Sequence, residues 1–338
     1  MAHQSLNTCI SHVDLCNLIN VSPKSLNKAF YDRSYNTFTI KKPNGGNRKI
    51  ENPNANLAHV QRQLSKVLNN TYAPFLPHCN HGYIPKAISG KRRDIFSNAI
   101  AHQGAQYLYN VDAKDFFYNV DKKKIASSIS LICSKIDRDI LKTIVKICTY
   151  KSRLPMGAPS SPALSNIATL PLDKDLMRFA REHQLVYTRY VDDMSFSSKD
   201  RAISDHFQSK ISAITEQNGF KLNPNKMKLY GPQDDHLITG IIVKPKELDI
   251  TPELYEDLIN NIRKLGRLKS TYQHMKMLNH KLTDQNKSKY KQYKSSIKGQ
   301  VAFVERVLGS ESPKFIHLQS ILNDVLLDNN YISQAMYI

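Results

Sequence analysis

The stretch LVYTRYVDDMSFSS, residues 185–198, sets two adjacent acids, Asp192 and Asp193, between two short runs of strand-like sequence. The flanking side chains are mostly apolar or aromatic, which favours two paired strands held in a buried sheet. The runs 185–190 and 194–198 therefore predict a hairpin whose turn carries both carboxylates. A third acid, Asp112, ends the strand-like run YLYNVD 80 residues before Asp192.

A cluster of three acids in a basic protein needs a cation to relieve its mutual repulsion. Mg²⁺ meets that need, because it prefers a few carboxylates together with phosphate oxygens and water. Two such ions about 3.5–4 Å apart can activate an attacking hydroxyl and stabilise the leaving oxygen of a phosphoryl displacement. The acids therefore predict a two-magnesium site for nucleotidyl transfer.

The charge of the chain indicates a polyanionic partner. The 338 residues include 48 Lys and Arg against 29 Asp and Glu, a formal net charge of +19, and such an excess favours nucleic acid. A basic membrane-surface protein is the competing interpretation, but no apolar run approaches the roughly 18 residues that span a bilayer, so no membrane partner is expected. The first twenty residues lack the pattern of a signal peptide, and we expect a cytoplasmic protein. The five cysteines form no CxxC pair, so neither a disulfide framework nor a zinc ribbon is expected.

The middle of the chain mixes helix and strand, whereas its C-terminal part is helical. Residues 37–53 predict a hairpin that turns at Asn44, Gly45 and Gly46, and residues 56–72 predict an amphipathic helix. In residues 261–300, eleven Lys or Arg face a single acid, which favours a helical grip on nucleic acid over an ordinary solvated surface. One helical stripe is expected to carry the apolar residues Leu254, Leu258, Ile262, Leu265 and Leu268.

Four motifs occur in the order expected of reverse transcriptases. NVDAKDFF, LPMGAPSSPALSN, YTRYVDDMSFSS and GFKLNPNKMKLYG resemble motifs A to D of the palm in that family. Within it the chain most resembles the bacterial retron enzymes, because NAIAH (98–102) is similar to their NAxxH element and ITG (238–240) to their VTG triplet. The resemblance extends over roughly residues 20–270.

The resemblance implies an α+β, right-hand polymerase fold with fingers, a palm of antiparallel sheet and helices, and a helical thumb. The implied segments are an N-terminal helical region (1–38), fingers (39–106), the first part of the palm (107–157), a fingers and palm helix (158–184), the catalytic hairpin with the primer grip (185–245) and a basic thumb (246–338).

The resemblance also assigns residues to roles. Asp112, Asp192 and Asp193 become the catalytic residues that bind two Mg²⁺ ions. Arg48 would grip the incoming triphosphate, with Lys41, Lys42 and Lys49 as weaker candidates. The full set implied to bind the deoxynucleoside triphosphate is Arg48, Lys49, Phe117, Met156, Gly157 and Lys226.

Three members of that set have particular features. Phe117 lies where the family keeps a ring beneath the sugar, which would exclude a ribose 2′-hydroxyl and favour DNA synthesis. Met156 stands where family members often have Gln, so a hydrogen bond from that side chain is in question. Lys226 is placed like the motif D lysine that would protonate the departing pyrophosphate, and a surface salt bridge is the alternative.

A second set is implied to contact nucleic acid. Asn98 and His102 would organise either a structured RNA or the local fold, and the ITG segment would support the primer. The set comprises Asn98, His102, Thr239, Gly240, Arg263, Lys264, Arg267 and Lys269.

Retron similarity implies an RNA-directed DNA polymerase that primes from a 2′-hydroxyl of a guanosine in a cognate noncoding RNA (msr-msd). The product would be branched RNA-linked DNA (msDNA) used in antiphage defence with a separately encoded effector protein, and host RNase H would process it. Three alternatives stay open: a group II intron-like or other defence-associated reverse transcriptase, an RNA-dependent RNA polymerase, which Phe117 disfavours, and an RNA-binding scaffold with an inactive palm.

Overall fold

The chain folds as two compact units that divide between Asp234 and Asp235. The computed structural model describes residues 5–41, 45–277 and 284–327. The division falls inside the segment 185–245 predicted as one piece of palm, so the ITG segment belongs to the C-terminal unit. The finer division into fingers, palm and thumb stays a prediction.

The first unit combines helices with two antiparallel sheets. Its helices are His12–Ile19 (α1), Pro23–Tyr31 (α2), Ala55–Tyr72 (α3), Lys86–Ser89 (α4), Ile95–Ile100 (α5), Lys122–Ile132 (α6), Arg138–Cys148 (α7), Ser161–Ala168 (α8), Leu170–Glu182 (α9) and Asp205–Gln217 (α10). Its strands are Tyr35–Lys41 (β1), Asn47–Pro53 (β2), Tyr107–Asp112 (β3), Val186–Tyr190 (β4), Asp193–Ser198 (β5) and Lys228–Tyr230 (β6). The amphipathic helix predicted over 56–72 is α3, whose buried face includes Leu57, Val60, Leu64 and Leu68.

Strands β1 and β2 form the hairpin predicted from the Gly-rich turn. They pair antiparallel from Tyr35 with Pro53 to Lys41 with Asn47, and Gly45 and Gly46 both have positive φ angles, near +80°, which glycine adopts without steric cost. Because β1 begins at Tyr35, a boundary after residue 38 would cut this strand.

The second sheet of the first unit has the order β4-β5-β3-β6, and every pair in it is antiparallel. Strand β3 lies between β5 and β6 and is buried along most of its length, as its apolar composition predicts. The pairing register sets Asp112, the last residue of β3, opposite Asp193, the first residue of β5. The sheet therefore brings the three acids of the sequence to one end of two adjacent strands. The prediction that both Asp192 and Asp193 lie in the turn is wrong by one residue, since Asp193 pairs with Tyr190.

The C-terminal unit joins a small antiparallel sheet to three long helices. The strands are His236–Ile238 (β7), Ile241–Val243 (β8) and Leu248–Ile250 (β9), and the helices are Pro252–Met277 (α11), Asp284–Leu308 (α12) and Pro313–Leu327 (α13). Three of the five residues in the predicted apolar stripe of α11, Leu258, Ile262 and Leu265, are buried. Leu268 is 39% exposed, so the buried stripe ends a turn earlier than predicted.

No helix among the described residues is both long and apolar enough to cross a membrane.

Candidate active site

The three acids predicted from the sequence meet at one point. Oxygen atoms of Asp112, Asp192 and Asp193 all lie within 4.8 Å of one another, and this is the one group of three or more metal-ligating side chains found in the described ranges. Main-chain hydrogen bonds fix the arrangement: the amide of Ala113 donates to the carbonyl oxygen of Asp192 at 2.9 Å, and the amide of Asn223 donates to that of Asp112 at 2.8 Å. The positions of the acids are therefore set by backbone as well as by side chains.

The cluster sets three carboxyls close together, of which Asp112 is buried, Asp192 half-buried and Asp193 exposed. Desolvation, followed by repulsion from Asp192 and Asp112, raises the pKa of Asp193 to about 7, although this side chain keeps an exposed edge. Desolvation and the charge of Asp112 also raise the pKa of Asp192. Two carboxyls that resist ionisation side by side indicate a site arranged for a cation.

Lys226 supplies one positive charge to this cluster. Its Nζ lies 2.7 Å from Oδ2 of Asp112. Desolvation acts to lower the pKa of Lys226, but the hydrogen bond and charge of Asp112, together with the other two acids, outweigh it and raise the pKa. The structure thus brings the predicted motif D lysine to the acid cluster, where its exposed side chain pairs with Asp112.

The donor set suits Mg²⁺. Three carboxylates offer hard oxygen ligands and leave coordination positions for water and phosphate oxygens. Asp112, Asp192 and Asp193 would hold the ion or ions, and a cation there would relieve the repulsion that helps to raise the pKa of Asp192 and of Asp193.

A buried polar network lies directly under the catalytic turn. Arg189 forms a two-pronged ion pair with Asp173, at 2.7 and 2.8 Å, and both side chains are almost fully buried. The same guanidinium donates to the carbonyl oxygen of Val191 at 2.9 Å, and the hydroxyl of Tyr187 donates to Asp173 at 3.0 Å. This network ties the turn to helix α9.

Gly82 packs against the other side of the turn. A Cβ atom on Gly82 would lie 2.5 Å from the backbone nitrogen of Val191 and 2.8 Å from its Cγ2. Asn166 donates to the carbonyl oxygen of Gly82 at 3.0 Å and holds this contact in place. Only glycine allows the two backbones to approach so closely.

Arg48, on strand β2 of the hairpin, interacts electrostatically with the acid cluster. Its charge acts on Asp192 and on Tyr83, whereas the charge of Lys49 acts on Glu51. Successive side chains of a strand point to opposite faces, so Arg48 and Lys49 lie on opposite faces of β2. The nucleotide-binding roles of Arg48 and Lys49 stay predictions. Lys42 lies outside the described residues.

Two aromatic rings, Phe117 and Tyr83, lie near each other, and Tyr83 interacts with Asp192. Phe117 is half-buried and packs edge-on to Phe116, with ring centroids 5.5 Å apart, and Tyr83 lies 6.5 Å from Phe117. Desolvation, and next the charge of Asp192, raise the pKa of Tyr83, which places its hydroxyl within the field of the cluster. The ring predicted to select the sugar therefore has an aromatic neighbour that the sequence did not indicate.

Met156 and Gly157 attach the small-residue loop to the β1–β2 hairpin. The amide of Glu51 donates to the carbonyl oxygen of Met156 at 2.7 Å. Gly157 has a φ of +115°, and a Cβ atom there would lie 2.9 Å from Ile50. Glu51 is further fixed by two 2.8 Å bonds from Arg153. The hydrogen bond between this loop and the hairpin is thus made by the main chain of Met156.

Asn98 and His102 are buried, at 1% and 2% exposure. The two ring nitrogens of His102 lie 2.7 Å from the hydroxyls of Ser197 and Thr188, which belong to β5 and β4. The prediction that these two side chains contact RNA does not fit their burial, because neither reaches the surface. Their alternative role in the local fold does fit, since His102 clamps the strands of the catalytic hairpin.

The remaining predicted residues belong to the C-terminal unit. Thr239 and Gly240 form the two-residue turn between β7 and β8, with φ angles of +47° and +85°. On α11 three of the predicted cations, Arg263, Lys264 and Arg267, are exposed.

Lys269, the fourth cation of α11 predicted to contact nucleic acid, is instead engaged within the protein. It is half-buried and its Nζ donates to the carbonyl oxygens of Val325 and Leu326, both at 3.0 Å. This lysine caps the end of α13 and is not free to bind phosphate.

Comparison with known proteins places this geometry in a family. Residues 40–250 match the family described as reverse transcriptase (RNA-dependent DNA polymerase). The chain is similar to the retron Ec86 reverse transcriptase of Escherichia coli, with 28% identity over 251 residues that cover 72% of this chain and 75% of that protein. It is also similar to the retron Mx162 reverse transcriptase of Myxococcus xanthus, with 28% identity over 257 residues, 68% of this chain and 51% of that protein. The chain thus spans about three quarters of the first relative and about half of the second.

Solved structures agree with the fold. A telomerase from Candida albicans, determined with a TWJ fragment of telomeric RNA, superposes with a TM-score of 0.50 at 9% identity, over 90% of this chain and 66% of that one. An identity this low shows the fold alone. The predicted α+β polymerase fold is confirmed by the family match and this neighbour, and the resemblance to bacterial retron enzymes is confirmed by the two relatives. Since the family match spans more than half of its length, the chain belongs to the reverse transcriptase family of RNA-dependent DNA polymerases.

Proposed function

We propose that this protein is a retron reverse transcriptase that makes branched, RNA-linked single-stranded DNA from a cognate noncoding RNA. The observation that carries the chemistry is the meeting of Asp112, Asp192 and Asp193 within 4.8 Å at the ends of β3 and β5. The similarity to the Ec86 and Mx162 enzymes carries the retron assignment.

The residues of the site divide the work of nucleotidyl transfer. When bound, Mg²⁺ would activate the primer hydroxyl and stabilise the leaving pyrophosphate oxygen. The three acids hold the position of that charge, Arg48 on β2 neutralises the triphosphate, and Phe117 closes the space where a 2′-hydroxyl would lie. Lys226, hydrogen-bonded to Asp112 at 2.7 Å, holds a proton at Nζ that can pass to the departing pyrophosphate.

The biological setting is proposed from the retron relatives. The substrates are deoxynucleoside triphosphates and a structured msr-msd RNA, in which a guanosine 2′-hydroxyl serves as the primer. The branched product acts in antiphage defence in the bacterial cytoplasm with a separately encoded effector, and host RNase H trims its RNA.

Primer extension on an RNA template tests the chemistry. The wild-type protein should extend a DNA primer with deoxynucleotides and Mg²⁺, and Asp192→Asn should reduce extension by at least about 10³-fold, because one ligand of the metal site loses its charge. Binding of the template RNA should remain within about twofold. Asp200→Asn removes an exposed acid just beyond β5 and is the matched control. Extension by Asp192→Asn at the wild-type rate would refute the assignment.

Product linkage tests the retron assignment. With the noncoding RNA encoded beside its gene as both template and primer, the labelled DNA should stay joined to RNA on a denaturing gel and be released by a 2′,5′-debranching nuclease. A DNA product that is never joined to RNA would contradict the retron assignment and favour a reverse transcriptase of another kind.

A further inference from the structure

A basic groove runs across the surface of the first unit and shares no residue with the candidate active site. It consists of two adjoining cavities of about 570 and 550 Å³, both lined by Lys142 and Lys146 of α7. The first cavity is lined by five cations and no acid: Arg33, Lys122, Lys142, Lys146 and Lys151.

The positive charge of this basic groove is mostly uncompensated. Lys142 pairs with Asp139 at 2.9 Å, but both side chains are largely exposed, and such pairs are weak in water. In the part of the chain that the structure describes, Arg33, Lys122 and Lys151 form no ion pair with an acid. Arg33 donates only to the carbonyl oxygen of Lys146, at 2.7 Å. Four or five cations at one cavity without acids indicate an anionic ligand of several charges.

Aromatic rings alternate with these cations. Tyr35 and Tyr150 are stacked at the first cavity, with centroids 4.4 Å apart and planes 28° from parallel. At the second cavity Lys146 lies 3.5 Å above the ring of Phe30, and the neighbouring Tyr31 is 79% exposed. Rings among cations are the pattern of sites that stack bases while they neutralise phosphates.

The turn formed by Lys151 and Ser152, next to the ring of Tyr150, has positive φ angles, which are unusual for residues other than glycine. Lys151 and Ser152 have φ angles of +51° and +62°, and Tyr150 and Arg153 exchange two backbone hydrogen bonds across them at 2.9 and 3.1 Å. Turns of this kind ordinarily take Asn and Gly. A lysine in this position costs backbone energy and keeps its charge at the cavity.

We infer that this basic groove binds a single-stranded segment of the RNA that the enzyme carries, outside the site where the template is copied. The inference rests on the proposed function, because it takes the ligand to be the enzyme's own RNA. Phosphates would lie against Lys122, Lys142 and Lys151, and bases would stack on exposed rings such as Tyr31. Each cavity is of a size that accommodates a nucleotide.

Binding of a labelled oligouridylate to the full chain tests the inference. The active site is first saturated with an unlabelled RNA–DNA primer–template, and fluorescence anisotropy then follows the single strand across a salt series. The wild-type protein should still bind the single strand. Complete displacement of it by the duplex would overturn the inference, because both ligands would then share one site.

Paired lysine variants locate the binding. Lys122→Gln with Lys151→Gln should weaken single-strand binding by about tenfold and lower the slope of log K against log salt by about 1.4, since two phosphate contacts are lost. Lys174→Gln with Lys210→Gln makes the same charge change on exposed parts of α9 and α10 and should leave both quantities unchanged. Equal binding by the two pairs would overturn the inference.

An aromatic variant separates stacking from charge. Tyr31→Ala should weaken binding by about fivefold or more with no change in the salt slope, because stacking involves no counterion release. Uridine monophosphate at millimolar concentration should not displace the oligonucleotide. Displacement at micromolar concentration would show a mononucleotide site and contradict the assignment to RNA.

Primer extension in parallel keeps the two proposals apart. The Lys122 and Lys151 variant should extend a short saturating primer–template within about twofold of wild type. If the wild type extends the primer and this variant still binds RNA normally, the inference about the basic groove is overturned and the proposed function is left intact. Groove-dependent RNA binding by a wild type that never extends would overturn the proposed function instead.

Discussion

Val191 shows how the catalytic acids are held at the level of single residues. Its φ of +62° lies in the left-handed region, which a β-branched side chain rarely adopts. Such a conformation persists only where the surroundings over-determine it. Here the carbonyl oxygen of Val191 accepts from Arg189 and its amide packs on Gly82, so the turn that carries Asp192 is fixed from both sides.

The raised pKa of Asp193 predicts a pH dependence of stability in metal-free protein. A carboxyl whose pKa rises from its ordinary value near 4 to about 7 on folding favours the folded state at low pH, and this contribution is lost as the pH rises through 7. Asp193→Asn removes the effect. In EDTA, the melting temperature of Asp193→Asn minus that of wild type should therefore increase as the pH is raised from 5 to 8.

Asp200→Asn is the control for that measurement, since it removes an exposed acid outside the cluster. Its melting temperature should run parallel to wild type over the same range. A difference between Asp193→Asn and wild type that stays constant with pH would contradict the electrostatic description of the cluster.

The ring of Phe117 predicts sugar selection. If Phe117 lies beneath the sugar as proposed, Phe117→Ala would open that space, and we expect the ratio of ribonucleotide to deoxynucleotide incorporation to rise about tenfold or more, a discrimination within reach of one steric contact. Single-nucleotide incorporation kinetics with the two sugars measure the ratio. Tyr83→Ala removes the neighbouring ring and serves as the comparison: an equal rise in both variants would show that general loosening, and not the ring of Phe117, is responsible.

At the scale of the element, the catalytic hairpin β4–β5 depends on segments distant in sequence. The segment Cys79–Gly82 lies along β4, with the amide of Arg189 donating to the carbonyl oxygen of Cys79 at 2.7 Å and the amide of His81 to that of Arg189 at 2.8 Å. Helix α9 supplies Asp173 from below. The hairpin is therefore braced on both sides before any substrate arrives.

Gly82 offers a direct test of this bracing. Gly82→Ala would force a methyl group to 2.5 Å from the backbone of Val191, so the turn must shift, and we expect primer extension to fall by at least about 10²-fold, since a misplacement of about 1 Å has that effect. Gly299→Ala in α12 is the control. A Cβ there meets nothing within 4 Å, and alanine in a helix should stabilise by about 0.5–1 kcal/mol. Normal extension by Gly82→Ala would show that the turn tolerates displacement.

The sequence predicted those parts of the molecule that are encoded locally. Gly45 and Gly46 predicted the β1–β2 turn, apolar and aromatic runs predicted β3 and β4, and the order of the motifs grouped Asp112 with Asp192. Asp173, Gly82 and Tyr83 gave no comparable signal, because each acts through a partner far along the chain. A buried acid on an amphipathic helix reads as an ordinary polar position until Arg189 is seen beside it. His102 was assigned to nucleic acid from the NAxxH resemblance and Lys269 from its place in a basic helix. His102 is instead buried against β4 and β5, and Lys269 donates to the end of α13.

At the scale of the whole molecule, the net charge of +19 favours binding of RNA, and the number of phosphates contacted sets the salt dependence. Three exposed cations of α11, Arg263, Lys264 and Arg267, are candidates for phosphate contacts. Changing all three to Gln should lower the slope of log K against log salt by about 2 for single-stranded RNA, close to 0.7 per contact.

Titration of the primer–template and of single-stranded RNA between 50 and 300 mM salt would measure the slopes. Lys269→Gln is the informative comparison. Because that lysine caps α13, its loss should lower the melting temperature and leave the salt slope unchanged. A slope unchanged by the triple variant would remove α11 from the RNA-binding surface.

The ion pair between Lys226 and Asp112 supplies the acid cluster with a counterion from the chain itself. With an ammonium group 2.7 Å from the carboxylate, the chain can fold around its acids before a divalent ion reaches them. Metal loading then becomes an exchange of one cation for another. How tightly the first ion binds should depend on how easily this lysine swings aside, so mutations in the short turn Pro224–Lys226 would alter the magnesium requirement without touching a single ligand.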